Sequence, residues 1–216
     1  MKRFFALLLT AALMLTCFAA CGGSVPDADT TAPDSAATDA SQNMTANTKL
    51  KDTTADENIA FTKNSFASFA AIDLKGTRYD QSLFKDKKLT MINIWATFCG
   101  PCINEMPDLQ TISEEYSDGD DFQIIGIVCD VTKDTKGFYD ESLLSQAKAI
   151  TDELGITYIS LLPSASLDGI MLNEVYSVPT TVFVDSEGNI VGESSYVGAR
   201  SYDNWQTIIK GLLETL

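Results

Sequence analysis

The most constraining feature of this chain is a junction near its middle. Leu89 to Ala96 is a short apolar run, followed within a few residues by Cys99-Gly100-Pro101-Cys102. Helical spacing then starts at once, with Ile103, Met106, Leu109, Ile112 and Tyr116 on one stripe. A run of that kind reads as a strand buried at the centre of a sheet, and the periodicity after it as a helix that Pro107 is expected to kink. Cysteines three apart at a helix start can close a small disulfide ring or stand open as a dithiol. The first of them, Cys99, occupies the helix N-terminus, where free N–H groups and the macrodipole favour a thiolate. Cys102 falls inside the first turn and should be the more shielded. The expected chemistry is disulfide exchange, with Cys99 as nucleophile and Cys102 resolving the mixed disulfide.

Zinc and a structural staple compete for the same spacing. A zinc site normally takes four Cys or His ligands, and this chain has no histidine and no second Cys-x-x-Cys pair. A disulfide across two intervening residues closes too small a loop to add much stability. Neither a metal nor a cofactor is expected.

The flanking sequence supplies a frame for this junction. Phe66, Phe69 and Ile72 with Gly76 suggest strands and a turn, then a short helical piece over Asp80 to Phe84. Phe122 to Cys129 predicts a second buried strand, and Glu141 to Leu154 a helix ended by Gly155. Thr157 to Leu161 suggests a short strand and Leu167 to Tyr176 a short helix. Thr180 to Asp185 and Ile190 to Tyr196 flank the hairpin turn Ser186-Glu187-Gly188-Asn189. A last helix begins near Ser201, with Trp205, Ile208, Ile209, Leu212 and Leu213 as its apolar face. Alternation followed by a hairpin predicts an α/β fold: a mixed sheet with helices on both faces.

The N-terminal quarter has a different character. Lys2 and Arg3 precede an almost uninterrupted apolar run from Phe4 to Phe18, as in a signal peptide. Phe18-Ala19-Ala20-Cys21-Gly22 resembles the bacterial lipobox, which implies lipidation of Cys21. From Gly22 to Ala60 no aromatic residue occurs, and such a segment cannot bury enough apolar area to offset its entropy. The expected division is a lipoprotein signal peptide over 1–20, a lipid-anchored disordered linker over 21–60, and one domain over 61–216. The lipid would hold a monomer on the outer face of the cell membrane, where disulfides persist. With 15 Lys and Arg against 30 Asp and Glu, the chain is not expected to bind nucleic acid.

Trp95-Ala96-Thr97-Phe98-Cys99-Gly100-Pro101-Cys102 resembles the active-site motif of the thioredoxin superfamily, and Val178-Pro179-Thr180 resembles its second hallmark, a cis-proline loop. The length between them, with Glu105 and Pro107 after the cysteines, is similar to the TlpA/ResA-like extracytoplasmic branch. The resemblance implies a thioredoxin-like fold with an insertion before the cis-Pro loop. It also implies substrate contacts at Trp95, Gly100, Pro101, Val178 and Pro179, with Trp95 as a wall of the site. Gly-Pro is the dipeptide of reducing thioredoxins, about −270 mV against about −120 mV for the oxidant DsbA. A disulfide reductase acting on exported proteins, such as apocytochrome c, is therefore expected, with electrons from an integral-membrane thiol carrier.

Two positions depart from the family pattern. Phe98 stands where relatives keep Trp, and Asn93 where cytosolic thioredoxins keep a proton-accepting Asp. Glu105, one helical turn past Cys102, is the expected replacement; Asp108 is rotated off that face. Cys129 is expected to be a buried small hydrophobe and Trp205 a core residue. A thiol peroxidase is a weaker reading. Ala96 and Ile92 stand where the peroxiredoxin pattern needs Thr and Pro. A binding module without turnover is a third reading, against which intact Cys99 and Cys102 weigh, because binding alone would not need both.

Overall fold

A computed structural model describes residues 49–54, 59–131, 133–134 and 136–216. All of them belong to one compact unit, Met44–Leu216. The expectations for Cys21 and for most of 1–60 fall outside the described residues.

The apolar runs become strands and the stripes become helices, in the order expected. A short antiparallel pair, β1 (Ala70–Ile72) and β2 (Arg78–Asp80), leads through a 3-10 turn at Gln81–Phe84 to β3 (Leu89–Trp95). Then follow α1 (Gly100–Glu115), β4 (Phe122–Val128), α2 (Glu141–Glu153) and β5 (Ile159–Leu161). The chain ends with α3 (Ala165–Ile170), β6 (Thr180–Asp185), β7 (Ile190–Val197) and α4 (Tyr202–Leu213). The helix expected over Leu167 to Tyr176 is shorter and starts earlier, because Ser164 caps it by accepting from the Leu167 N–H. A separate 3-10 turn covers Leu172–Glu174. Pro107 lies inside α1, which continues through it.

The main sheet has strand order β5-β4-β3-β6-β7. β3 pairs in parallel with β4 and antiparallel with β6, so the strand leading to the cysteines is central. Every residue of β3 is buried. Alternate side chains serve opposite layers. Ile92 and Ile94 join Phe66, Phe69, Phe84 and Leu167 on one face. On the other face Leu89 and Met91 meet Leu109 and Ile112 of α1 and Trp205 and Ile209 of α4. A third cluster surrounds Trp95 and gathers Cys99, Cys102, Met106, Leu144 and Ala147. This is the thioredoxin-like mixed sheet with helices on both faces.

Residues 49–54, assigned above to the linker, are part of this unit. The Asp52 N–H donates to the Gly137 carbonyl at 2.9 Å, and Lys51 forms a β-bridge with Phe138. The Asp52 side chain is buried and meets Lys133 Nζ at 3.3 Å. No described helix is long and apolar enough to cross a membrane.

Candidate active site

The chain leaves β3 at Trp95 and enters α1 at Gly100, so Cys99 becomes the N-cap residue. Its extended backbone aims the sulfur back over the helix start, where the Cys102 N–H donates to Cys99 Sγ at 3.2 Å. Pro101 occupies the first turn, where no intrahelical N–H partner is needed. Cys99 and Cys102 form a disulfide with Cα atoms 5.3 Å apart. Both cysteines are buried in this oxidised form, Cys99 with 5% of its surface exposed and Cys102 with none. The order expected from their helix positions holds, but Cys99 is less accessible than the sequence suggested. Gly100, Pro101 and Phe98 form the exposed rim, with Phe98 75% exposed.

Trp95 is fully buried beneath the disulfide. It supports the cysteines from inside and offers no surface to a substrate. The loop above it is pinned by Asp130, whose Oδ2 accepts from the Thr97 N–H at 3.0 Å and the Thr97 hydroxyl at 2.6 Å.

The Val178–Pro179 peptide is cis. Val178 packs against the cluster that contains Cys99 and Cys102, so the loop and the dithiol share one apolar base. The Pro179 carbonyl accepts from the Gly198 N–H at 2.8 Å, whereas the Val178 N–H and C=O have no partner among the described residues.

Glu105 is the most heavily coordinated group of the site and is only 4% exposed. Asn93 Nδ2 donates to its Oε1 at 3.0 Å. The Arg200 backbone N–H (3.0 Å) and Trp205 Nε1 (3.3 Å) donate to its Oε2. Burial raises its pKa, opposed by these hydrogen bonds and the Arg200 charge. The position left without a carboxylate at Asn93 is thus joined directly to Glu105. Asp108 points elsewhere and accepts from the Tyr202 N–H at 3.0 Å, at the start of α4.

A model of the Redoxin family matches residues 28–200, well over half of the chain. The chain belongs to the Redoxin family. Among curated relatives, it is 28% identical over 122 residues to the thioredoxin-like protein YneN of Bacillus subtilis (strain 168), covering 56% of this chain and 64% of that one. It is 24% identical over 140 residues to the thiol-disulfide oxidoreductase ResA of Halalkalibacterium halodurans, covering 63% and 70%. The chain thus spans somewhat less than two thirds of YneN. A thioredoxin-family thiol:disulfide interchange protein from Chlorobium tepidum superposes with a TM-score of 0.56 at 23% identity, over 71% of this chain and 99% of that one.

Several groups around the cysteines carry no signal in the sequence. Arg200 and the indole N–H of Trp205 belong to Glu105, but they lie about a hundred residues away with no pattern linking them. The Arg200 guanidinium sits over the Tyr196 and Trp205 rings, 5.4 and 5.0 Å from their centroids. Trp205 is therefore both core residue and hydrogen-bond donor. Cys129 is half-buried and packs against two core clusters; burial, then Asp130, pushes its thiol up to about 11. Among the described residues no group of three or more His, Cys, Asp or Glu side chains is placed to hold a metal ion.

Proposed function

We propose that this Redoxin-family chain is an extracytoplasmic thiol-disulfide oxidoreductase, working as a disulfide reductase on exported proteins. The observation that carries the reading is the Cys99–Cys102 disulfide at the start of α1, with buried Glu105 one turn further on. Cys99 is the nucleophile because it caps the helix and is the less buried residue of the pair. Its thiolate attacks a client disulfide, forming a mixed disulfide and releasing one client thiolate. Cys102 then attacks Cys99 Sγ, closing the intramolecular disulfide and releasing the second client thiolate. The Cys102 proton passes to Glu105, and the client thiolates take protons from solvent.

Val178, Pro179, Gly100 and Pro101 hold the client chain. In support, the unpaired Val178 backbone groups can bond an extended segment lying across the rim. The Gly-Pro dipeptide favours reduction over oxidation. The signal-like start and Cys21 support a lipid anchor on the outer face of the membrane, with 21–48 as tether. An integral-membrane thiol carrier would return electrons, and apocytochrome c thiols are one client class.

The test is trapping. A Cys102→Ser variant of the full chain should accumulate mixed disulfides through Cys99, while Cys99→Ser should accumulate none. Equal trapping by the two variants, or reduction of a model disulfide such as insulin by the double Ser variant, would defeat the assignment.

A further inference from the structure

Past the cis-Pro loop the sheet has a strip that no helix covers. Val182 and Val184 of β6 share a core cluster with Leu167 and Ile170, so they and Thr180 point towards α3. Val197 and Ile190 of β7 stand in register with Thr180 and Val184 and face the same way. α3 has only six residues and gives way to the 3-10 turn at Leu172–Glu174. The edge strand β7 is therefore left open on this side. A pocket of about 450 Å³ occupies the gap, with Met171, Val175 and Ile190 in its walls. Ligand pockets commonly run from about 300 to 1,000 Å³, so this one has room for a bulky side chain.

Its position ties it to the dithiol. Ser177 and Thr180 line the pocket and flank the cis peptide at Val178–Pro179. Val178 packs against the cluster that holds Cys99 and Cys102 and also against the cluster beside the pocket, so the loop stands between the two. The mouth is apolar: Tyr176 and Val197 line it and are 92% and 56% exposed. With Phe98 beside Cys99, they are three of the five large apolar side chains exposed among the described residues. Exposed apolar surface thus collects around the cis-Pro loop, as it does where a protein partner docks.

The lining also fixes the chemistry of the occupant. Among the described residues that line the pocket there is no lysine or arginine, so nothing there holds an anion. Glu174, its charged wall, is already paired with Lys63. The Thr180 hydroxyl donates to the Ser177 carbonyl at 2.7 Å. Burial of apolar surface is then the main attraction. The net charge of −15 adds repulsion against acidic segments.

We propose that this pocket is a client subsite, which takes one bulky apolar side chain, aromatic or long aliphatic, from a neutral or basic client segment running extended off the cis-Pro loop. The inference rests on the oxidoreductase reading and names the segments that such an enzyme favours. Ser177 and Thr180 adjoin the peptide beside the dithiol, and each extended residue spans about 3.3 Å. The anchoring side chain therefore stands within about five residues of the client cysteine. Binding there adds no step to the exchange; it holds the client disulfide at Cys99 for longer.

The experiment gives the reduced full chain a set of Gly- and Ser-based peptides, each with one cysteine joined to glutathione. Trp, Leu, Ala or Glu is placed in turn at each position within about five residues of that cysteine, the reach set by an extended chain. Single-turnover rate constants of exchange are compared. At one position Trp and Leu should exceed Ala by roughly tenfold, with Glu slowest. The preference should shrink in Ser194→Trp, whose indole fills the pocket, and in Tyr176→Ser, which removes one lip. Equal rates for Trp, Leu and Ala at every position, or a preference that both variants keep, overturn the subsite while exchange through Cys99 stands. No exchange with any peptide overturns the oxidoreductase reading and the subsite with it. The occupant is read by placing benzoylphenylalanine at Tyr176 in a Cys102→Ser chain. Irradiation of the trapped mixed disulfide should join that probe to the peptide. Cross-links only to residues 1–48 of the same chain, or only to a second copy, would give the pocket another occupant and overturn the assignment.

Discussion

At the scale of single residues the decisive group is Glu105. A carboxylate taken out of water should be costly, and the three N–H donors around it offset only part of that cost. Because burial dominates, its folded pKa lies above the unfolded one, near the ordinary value of about 4.3. The folded protein therefore binds this proton more tightly, and its stabilising contribution is complete below the unfolded pKa. It is lost as pH rises through the folded pKa. In urea unfolding of the oxidised protein, the wild type should lose stability across that window relative to Glu105→Gln. Each pH unit between the two values is worth about 1.4 kcal/mol. Parallel curves for the two proteins from pH 4 to 8 would mean that Glu105 is not desolvated. The helical face of Glu105 was legible three residues after Cys102; its burial was not, since that depends on Arg200 and Trp205.

At the scale of elements, two glycines separate conformational strain from crowding. Gly155 ends α2 with φ +64° and open space where a Cβ would stand. Gly188 in the β6–β7 turn has φ +81°, and its Cβ would stand 2.6 Å from the Phe66 carbonyl carbon. Its own carbonyl accepts from the Phe66 N–H at 2.8 Å, so the turn is also where the segment before β1 docks. Gly155→Ala should cost about 1–2 kcal/mol, the left-handed penalty alone. Gly188→Ala should cost clearly more, because backbone must move as well. Chemical denaturation of both variants checks this, and equal losses would show that the Phe66 segment yields freely. The turn at Gly188 was evident from Ser186-Glu187-Gly188-Asn189; the reason only glycine fits was not, because Phe66 is remote in sequence.

At the scale of the whole molecule, the domain reaches further towards the N-terminus than composition suggested. Asp52 is 1% exposed, its Oδ1 accepts from the Thr54 N–H and the Thr54 hydroxyl, and its Oδ2 pairs with Lys133, which also lies 3.9 Å from Asp168. A chain begun at Phe61 would leave Lys133 without this partner and the Gly137 carbonyl without its donor. It should unfold at lower urea than a chain begun at Lys49, by about 1–3 kcal/mol. Identical midpoints would show that residues 49–54 add nothing to the fold. The segment looked like tether because it is polar and lacks aromatic residues. It is held by hydrogen bonds and an ion pair, which hydrophobic patterning does not record.

What the sequence determined by itself was everything carried by local periodicity and short spacing. This includes the buried strand into Cys99, the helix that presents Cys102 and Glu105 on successive turns, the order of elements and the β6–β7 hairpin. Those features depend on neighbours within one or two turns, so the alternation of apolar and polar residues reveals them. Tertiary structure alone decided which atoms face Glu105, why Trp95 and Ser160 press closely on Gly126, and how residues 49–54 are anchored. Each depends on strands and loops brought together by the order β5-β4-β3-β6-β7. A hydrogen bond between Asn93 and Glu105, or between Arg200 and Glu105, needs only that sheet and helix meet there, a condition no local pattern encodes.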